Sequence, residues 1–349
     1  MSQNNKTRLD ALVKLDRYQS IRGEWMKSFL RLVLLAGLAA FQFQCAAWAA
    51  DAYPSRGVRI VVGYSPGTTS DVFARIIAQK LSERWGQPVI VENRDGAAGS
   101  IGAEAVAKAE PDGYSLMLGS NAFTLGKILR VKLPYDPFTD FYAVTQIAQT
   151  PNIFLIGNGL GVKNVKEFIA LARSAPKTLQ YASSGRGTPS HLTVELFKAM
   201  AGVQIEEIPY KSSGQALTDT ISGQVALNAP GLAQGLPHAK GGKVVVLGIT
   251  GSKRAPGAPD IPTLAEQGVP GYEAYGWHGL FSPAKTPPAV NAFLTREMIA
   301  ILHTPDLREK FGQQGAEIVA SESAPFVDFL RRDLDKWQKL FAQLGIKPE

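Results

Sequence analysis

From residue 53 onward, short runs rich in β-branched residues alternate with segments whose apolar residues recur at helical spacing, and this alternation constrains the fold more than any other feature. Val58–Val62 is the first run. Val72, Phe73, Ile76, Ile77, Leu81 and Trp85 then share one helical face, which Gly86 closes. Residues 88–91 read as a second strand, the loop "NRDGAAGS" leads into a helix near 101–109, Pro111-Asp112-Gly113 turns, and residues 114–118 read as a third strand. Such a β-α-β-α-β series demands an open, mainly parallel sheet. A second series begins past Pro151, with strands at 154–156, 179–182, 203–208, 225–228 and 243–249. Its helices span 165–172, 189–200 (Pro189 in the first turn, Gly202 beyond the end) and 215–222 (closed by Gly223). Two α/β units in series predict two lobes. The C-terminal segment is mostly helical: Phe326, Phe329, Leu330, Leu334, Trp337, Leu340, Phe341 and Leu344 form one apolar face ended by Gly345, a packing surface with no chemistry of its own.

The first fifty residues follow a different logic. An apolar run from Leu32 to Phe41, preceded by Lys27 and Arg31 and followed by Ala47-Trp48-Ala49, has the length and flanks of an export signal cleaved near Ala49-Ala50. The polar lead before it is over-long, which makes Met26, opening "MKSFLR", an alternative start; an uncleaved anchor is the competing reading. Cys45, the only cysteine, falls in this segment, so the mature chain is expected to hold no thiol or disulfide. The segment also carries seven of the 37 basic and three of the 30 acidic residues, leaving 30 against 27, a net of +3. With no basic run interleaved with aromatics, nucleic acid is not an expected partner, whereas an anionic small ligand is compatible.

Gly63-Tyr64-Ser65-Pro66-Gly67 spells G-x-S-x-G, the pattern of a hydrolase nucleophile elbow. That chemistry needs the backbone N–H of the residue after the serine for its oxyanion hole, and Pro66 has none. Loss of one such donor costs on the order of a hundredfold to a thousandfold in rate. A serine hydrolase at Ser65, with one of His191, His238, His278 or His303 as base, is therefore the disfavoured reading. The favoured one uses the same loop for its backbone. Gly67 turns the chain with N–H groups expected to face inward, Thr68, Thr69, Ser70 and Asp71 offer hydroxyl and capping groups (Ser70 or Asp71 as cap), and a helix N-terminus presents unpaired donors with roughly half a positive charge. That combination holds a carboxylate and changes nothing chemically.

A second loop repeats the design. Ser183, Ser184, Gly185, Arg186, Gly187 and Thr188 join a strand to the helix at Pro189, with Arg186 available to a carboxylate and His191 one turn inside the helix. Two strand-end loops in two lobes are expected to face each other across a cleft. The loops at 119–124, with Ser120 and Asn121, and at 210–214, with Tyr210, are lesser candidates. No metal set and no cofactor motif is present: the histidines are scattered, "GRGTPS" lacks the third glycine of a dinucleotide fingerprint, and no Gly-Lys-Ser/Thr phosphate loop occurs.

The ordered landmarks "YPSRGVRIVVGYSPGTTSD", "LSERWGQPVIVENRDGAAGSIGAEAVAKAEPDGYSLMLGS", "LPYDPFTDF", "YASSGRGTPSHL", "IPYKSSGQALTDTISGQV" and "GVPGYEAYGWHGLFSPAKTP" give the chain a resemblance, over residues 53–347, to the Bug-type periplasmic solute-binding proteins, the receptors of tripartite tricarboxylate transporters. The resemblance implies an α/β, two-lobed (Venus-flytrap, type II) periplasmic-binding-protein architecture with an inter-lobe cleft. The chain would cross between lobes near 144–153 and 275–283. Residues 51–149 with 276–349 would then form a discontinuous first lobe and residues 150–275 the second, behind a signal peptide at 1–50. It also implies that the loops at 64–71 and 183–188 act as opposed pincers on a small carboxylate. The protein would be a periplasmic monomer without enzymatic activity that delivers its ligand to inner-membrane permease subunits or, alternatively, to a signalling system. The sequence departs from the family pattern where Tyr64-Ser65 replaces a Phe-Ala pair, where Thr68 and Thr69 replace glycine, and where Arg186 replaces a small polar residue. Asn228-Ala229-Pro230 also lacks the acidic residue often nearby. These departures bear on which acid is bound.

Overall fold

A computed structural model describes residues 53–130, 132–175 and 177–348. The reading of residues 1–50 as an export signal, with Cys45 and the Met26 start, lies outside the described residues. All elements belong to the compact unit beginning at Arg56. Among the described residues no helix is long and apolar enough to cross a membrane.

The first series is β1 (Val58–Val62), α1 (Thr69–Trp85), β2 (Val89–Asn93), α2 (Ser100–Ala107), β3 (Ser115–Ser120) and α3 (Asn121–Leu129). β1 pairs in parallel with β2 and β3, as β-α-β connections require. β4 (Phe141–Pro151) follows, and then the chain enters a second sheet. That part comprises β5 (Ile153–Gly157), α4 (Val165–Ser174), β6 (Leu179–Ser183), α5 (Pro189–Ala201), β7 (Ile205–Pro209), α6 (Ser213–Ile221), β8 (Leu227–Asn228), α7 (Leu232–Lys240) and β9 (Val244–Ile249). β10 (Tyr275–Pro283) returns to the first sheet, followed by α8 (Pro288–Leu302), α9 (Pro305–Gln313), β11 (Glu317–Ile318) and α10 (Ser323–Leu344). The sheet orders are β11-β4-β10-β3-β1-β2 and β7-β6-β8-β5-β9. The molecule is thus α/β with two lobes, each built on one sheet, and the antiparallel pair β4–β10 carries the chain between them.

Each sheet has its own core. Val61, Met117, Phe123, Phe141, Phe281 and Phe326 pack in the first lobe, and Phe154, Phe168, Tyr181, Phe197, Leu227 and Tyr272 in the second. Two of the elements were not legible in the sequence. The segment at 119–124 reads as a strand-end loop, but β3 continues to Ser120 and α3 starts at Asn121, whose side-chain oxygen accepts from the Trp277 N–H at 3.0 Å. In α7, Gly235 and Pro237 disguise a helix. Gly235 is needed because a Cβ there would lie 2.4 Å from Ile153 Cγ2, so the helix packs directly on β5.

α10 does more than cover one lobe. Asp333 accepts from Trp277 Nε1 at 3.0 Å, pinning the helix to β10, and from Trp337 Nε1 of its own helix at 2.9 Å. Burial pushes the Asp333 carboxyl above the usual range, an effect that these two bonds partly offset. Its apolar face then meets Leu125 and Leu129 of α3 and Leu192 of α5, one helix from each lobe.

Candidate functional site

At the end of β1 the backbone must pass close to a neighbouring turn: a Cβ on Gly63 would lie 2.5 Å from Gly99 Cα. Gly67 then adopts φ +81°, which favours glycine. Thr68 caps α1, accepting from the Asp71 N–H at 3.4 Å, while Asp71 reaches back to accept from the Gly67 N–H at 3.0 Å. The sequence predicts inward-facing N–H groups at the Gly67 turn and a cap from Ser70 or Asp71. The structure gives the cap to Thr68 and uses the Gly67 amide inside the loop. Asp71 is buried; burial opposes its charge, but bonds from Arg75, the Gly67 amide and Asn93 outweigh that and hold its carboxyl below the usual range. The amides of Thr69 and Ser70, at the first two helical positions, find no acceptor among the described residues. Ser65 donates to Asp95 at 2.6 Å on the exposed side, so it is paired with a carboxylate and not a histidine.

The loop between β6 and α5 is also internally bonded. The Ser184 N–H donates to Ser190 Oγ at 2.9 Å, Gly185 N–H to Ser183 Oγ at 3.0 Å, and Gly187 N–H to His191 Nδ1 at 3.3 Å. His191 is buried, and burial, with Arg186 and Lys198 nearby, pushes it down to about 3. It is therefore a neutral anchor for the loop, even though its Nε2 lies 3.8 Å from Glu207. Arg186 turns towards Glu207 at 3.7 Å and donates to the Lys347 carbonyl at 3.3 Å. Because Pro189 has no N–H, the amide left open at this helix start is that of Ser190.

Between the loops lies a cavity of about 90 Å³. Tyr64, Thr68, Thr69, Ser70 and Ser120 wall it from the first lobe, and Ser184, Thr188, Pro189 and Ser190 from the second. Ser213 and Ala216 of α6, with Asn228, Pro230, Gly231 and Gln234 at the start of α7, complete the second side, while Thr150, Asn152, Gly276 and His278 form the base on the crossover strands. The N-terminal ends of α1, α3, α5, α6 and α7 therefore converge on one space. No Lys, Arg, Asp or Glu lines it. Tyr64 bonds Ser120 Oγ at 2.9 Å, and burial raises its phenol pKa, so it presents a neutral hydroxyl. His278 Nε2 lies 3.1 Å from Ser70 Oγ, and burial pushes the imidazole down to about 3. Its Nδ1 and the Thr150 hydroxyl are buried without a partner among the described residues. The lobes touch around the cavity: a Cβ on Gly231 would lie 2.7 Å from Thr69 Oγ1, and one on Gly185 3.8 Å from Ala98 Cβ.

Of the residues singled out in the sequence, Tyr64, Thr68, Thr69, Ser70, Ser120, Ser184 and Thr188 line this cavity. Ser65, Pro66, Gly67, Asp71, Asn121, Ser183, Gly185, Arg186, Gly187, His191 and Tyr210 do not line it. Tyr210 donates to Asp219 at 2.7 Å, and burial together with that carboxylate pushes it up to about 12. The base residues and the start of α7 were not anticipated, although Pro230-Gly231 after a strand was a readable strand-to-helix signal. Among the described residues no group of three His, Cys, Asp or Glu side chains is placed to hold a metal.

Two lobes joined by paired crossover strands, with a polar cavity between strand-end loops, define a solute-binding protein of the periplasmic-binding-protein class. The sequence pattern of the tripartite tricarboxylate transporter family receptor matches residues 73–346, and the chain belongs to that family. Solved relatives share the fold. R. palustris Rpa4515, determined with adipate, is 35% identical with a TM-score of 0.82, covering 85% of this chain and 100% of that one. The periplasmic binding protein BugD is 31% identical with a TM-score of 0.79, over 85% and 100%. MatC (Rpa3494) from Rhodopseudomonas palustris, determined with bound malate, is 29% identical with a TM-score of 0.77, over 82% and 99%.

Proposed function

We infer that this protein is an exported, non-enzymatic receptor that captures a small carboxylate between its lobes in the periplasm and passes it to the inner-membrane permease subunits of a tripartite tricarboxylate-type transporter. The observation that carries this reading is the convergence of helix N-termini on a cavity without a charged side chain. Each helix start brings roughly half a positive charge on fixed N–H donors, so an anion is attracted without a lysine or arginine. Thr69, Ser70 and Ser190 supply the open amides, and Tyr64, Ser120 and Ser184 the hydroxyls; the Thr68 and Thr188 hydroxyls are given to the Ser65 and Gly185 carbonyls and hold the loops. Thr150 and Asn152 address the rest of the ligand.

Size narrows the class. A water needs about 10–15 Å³ of such space, so the cavity takes roughly six to nine water-sized groups, the scale of a short-chain acid. The malate bound by one relative and the adipate present with another are short-chain acids of about that scale, and both are the natural first probes. The lobes, residues 51–149 with 276–349 and residues 150–275, rotate as bodies about the crossover strands, and the protein acts as a monomer.

Thermal unfolding in the presence of adipate, malate and a panel of short acids tests the reading. A true ligand raises the midpoint with dose, because mass action contributes about 2.7 kcal/mol at a hundredfold excess over its Kd. A flat response to every acid, or ester hydrolysis abolished by Ser65→Ala, contradicts it.

A further inference from the structure

The crossover strands have a second face, and it is lined differently. Side chains alternate along a strand, so Thr150 and Asn152 face the cleft while Pro151 between them faces away; likewise Gly276 faces the cleft and Tyr275 the other side. Pro151 and Tyr275 form part of the wall of another cavity, of about 520 Å³, behind the hinge. Lys253 and Arg254, from the segment after β9, enter it from the second-lobe side, and His303 and Arg308, around the α8–α9 junction, from the first.

Arg254 is engaged by Glu266 at 3.1 Å. Lys253, His303 and Arg308 make no ion pair or side-chain hydrogen bond among the described residues. Glu317 is the one acidic residue of the wall. Lysine and arginine side chains supplied from two bodies and facing one space lower their mutual repulsion when a multiply charged counter-ion lies between them. Guanidinium binds carboxylate or phosphate through two parallel N–H donors, and an ammonium adds a point charge.

We propose that the cavity behind the hinge is a second binding site, for a small polyvalent anion bearing phosphate or carboxylate groups, held between Lys253 of one lobe and Arg308 and His303 of the other. Both cavities share the crossover strands as a partition. Rotation that opens the front cleft narrows the space behind it and brings the cations of the two lobes together, so an anion that bridges them favours the open front. Ligands at the two sites then weaken each other's binding by the same factor.

The test is calorimetric titration of the full chain at low ionic strength with inorganic pyrophosphate and, separately, with citrate, on the wild type and two variants. Lys253→Ala/Arg308→Ala removes two exposed cations of the back cavity; Thr69→Pro removes an open amide of the front one. Binding of either probe that weakens about tenfold or more in the double variant and persists in Thr69→Pro supports the site. Binding of pyrophosphate alone or citrate alone, with that same dependence, assigns it to phosphate or to carboxylate chemistry. No binding of either probe at millimolar concentration, or binding lost in Thr69→Pro and kept in the double variant, overturns it. The coupling rests on the front-cleft reading and is read separately, as weaker adipate binding when pyrophosphate is saturating. Adipate that binds with unchanged affinity overturns the coupling alone, and adipate that does not bind at all counts against the front site without touching the back one.

Discussion

The front cleft and the cavity behind the hinge are walled by alternate residues of the same strands, yet they solve opposite electrostatic problems. At the front no formal charge lines the space, and its donors are peptide amides and hydroxyls fixed by helix starts. At the back the charges are whole, on long exposed side chains. A fixed neutral donor set selects by shape and costs little rotamer entropy on binding, whereas exposed lysine and arginine attract anions broadly and are screened by salt. The comparison teaches that a space lined by fixed neutral donors and a space lined by exposed cations can lie back to back on the same strands.

The largest expected effect concerns what keeps the front neutral. His278 at the base and His191 behind the second loop are both pushed to about 3 by burial, against about 6.5 in an unfolded chain. Each stays neutral in the fold and gains a proton in the unfolded chain as pH drops below about 6.5. The stability they contribute is therefore whole above that pH and is lost progressively between about 6.5 and 3. The slope is up to about 1.4 kcal/mol per pH unit for each, or about 3 kcal/mol by pH 4.5. Denaturant unfolding of wild type and His278→Gln across this window should show a shallower slope in the variant; parallel curves would mean that His278 is solvated or charged in the fold.

Closure comes next. A valine at Gly231 meets Thr69 where the lobes touch, and overpacking of about 1–3 kcal/mol borne by the closed state alone weakens acid binding about tenfold to a hundredfold. Calorimetry with small-angle scattering should find weaker binding and more open lobes together. Unchanged affinity would place closure elsewhere. A smaller contrast is expected from salt. Raising ionic strength from about 0.05 to 0.5 M should shift front-site affinity less than that of pyrophosphate, because the Debye length shrinks well below 10 Å and the exposed cations lose most of their reach. The smallest effect belongs to Arg186→Ala. This side chain is engaged with Glu207 and Lys347, so its loss should cost at most about 1 kcal/mol of stability and leave acid affinity nearly untouched. A tenfold loss of affinity would show that the arginine reaches the ligand.

Much of this was legible in the sequence because β1, α1, β6 and α5 announce themselves by periodicity and by Gly86, Pro189 and Gly202 at their ends. The strand-end loops followed from that, and with them Tyr64, Thr68–Ser70 and Ser184. What sequence could not carry was the fate of individual amides. The Gly67 N–H is spent because Asp71 turns back on its own loop, a side-chain choice that leaves no mark on spacing. The base residues Thr150 and His278 were hidden for another reason: β4 and β10 are buried on both faces, so their residues show no alternation that would separate cleft from core. α7 was missed because Gly235 and Pro237 lower helix propensity, while Gly235 is there to let the helix sit against Ile153.

The central claim, that open amides at helix starts hold the carboxylate, is tested most directly by comparing Thr69→Val with Thr69→Pro in adipate and malate titrations. Thr69 is the first helical residue, where proline fits, and Thr68 already has the extended geometry (φ −71°, ψ 160°) that a following proline requires. Both variants lose the hydroxyl and only one loses the N–H. A charge-assisted hydrogen bond of about 1.5–3 kcal/mol predicts affinity about tenfold or more lower for proline than for valine. Equal affinities in the two variants, with both still folded and still binding, would contradict the account.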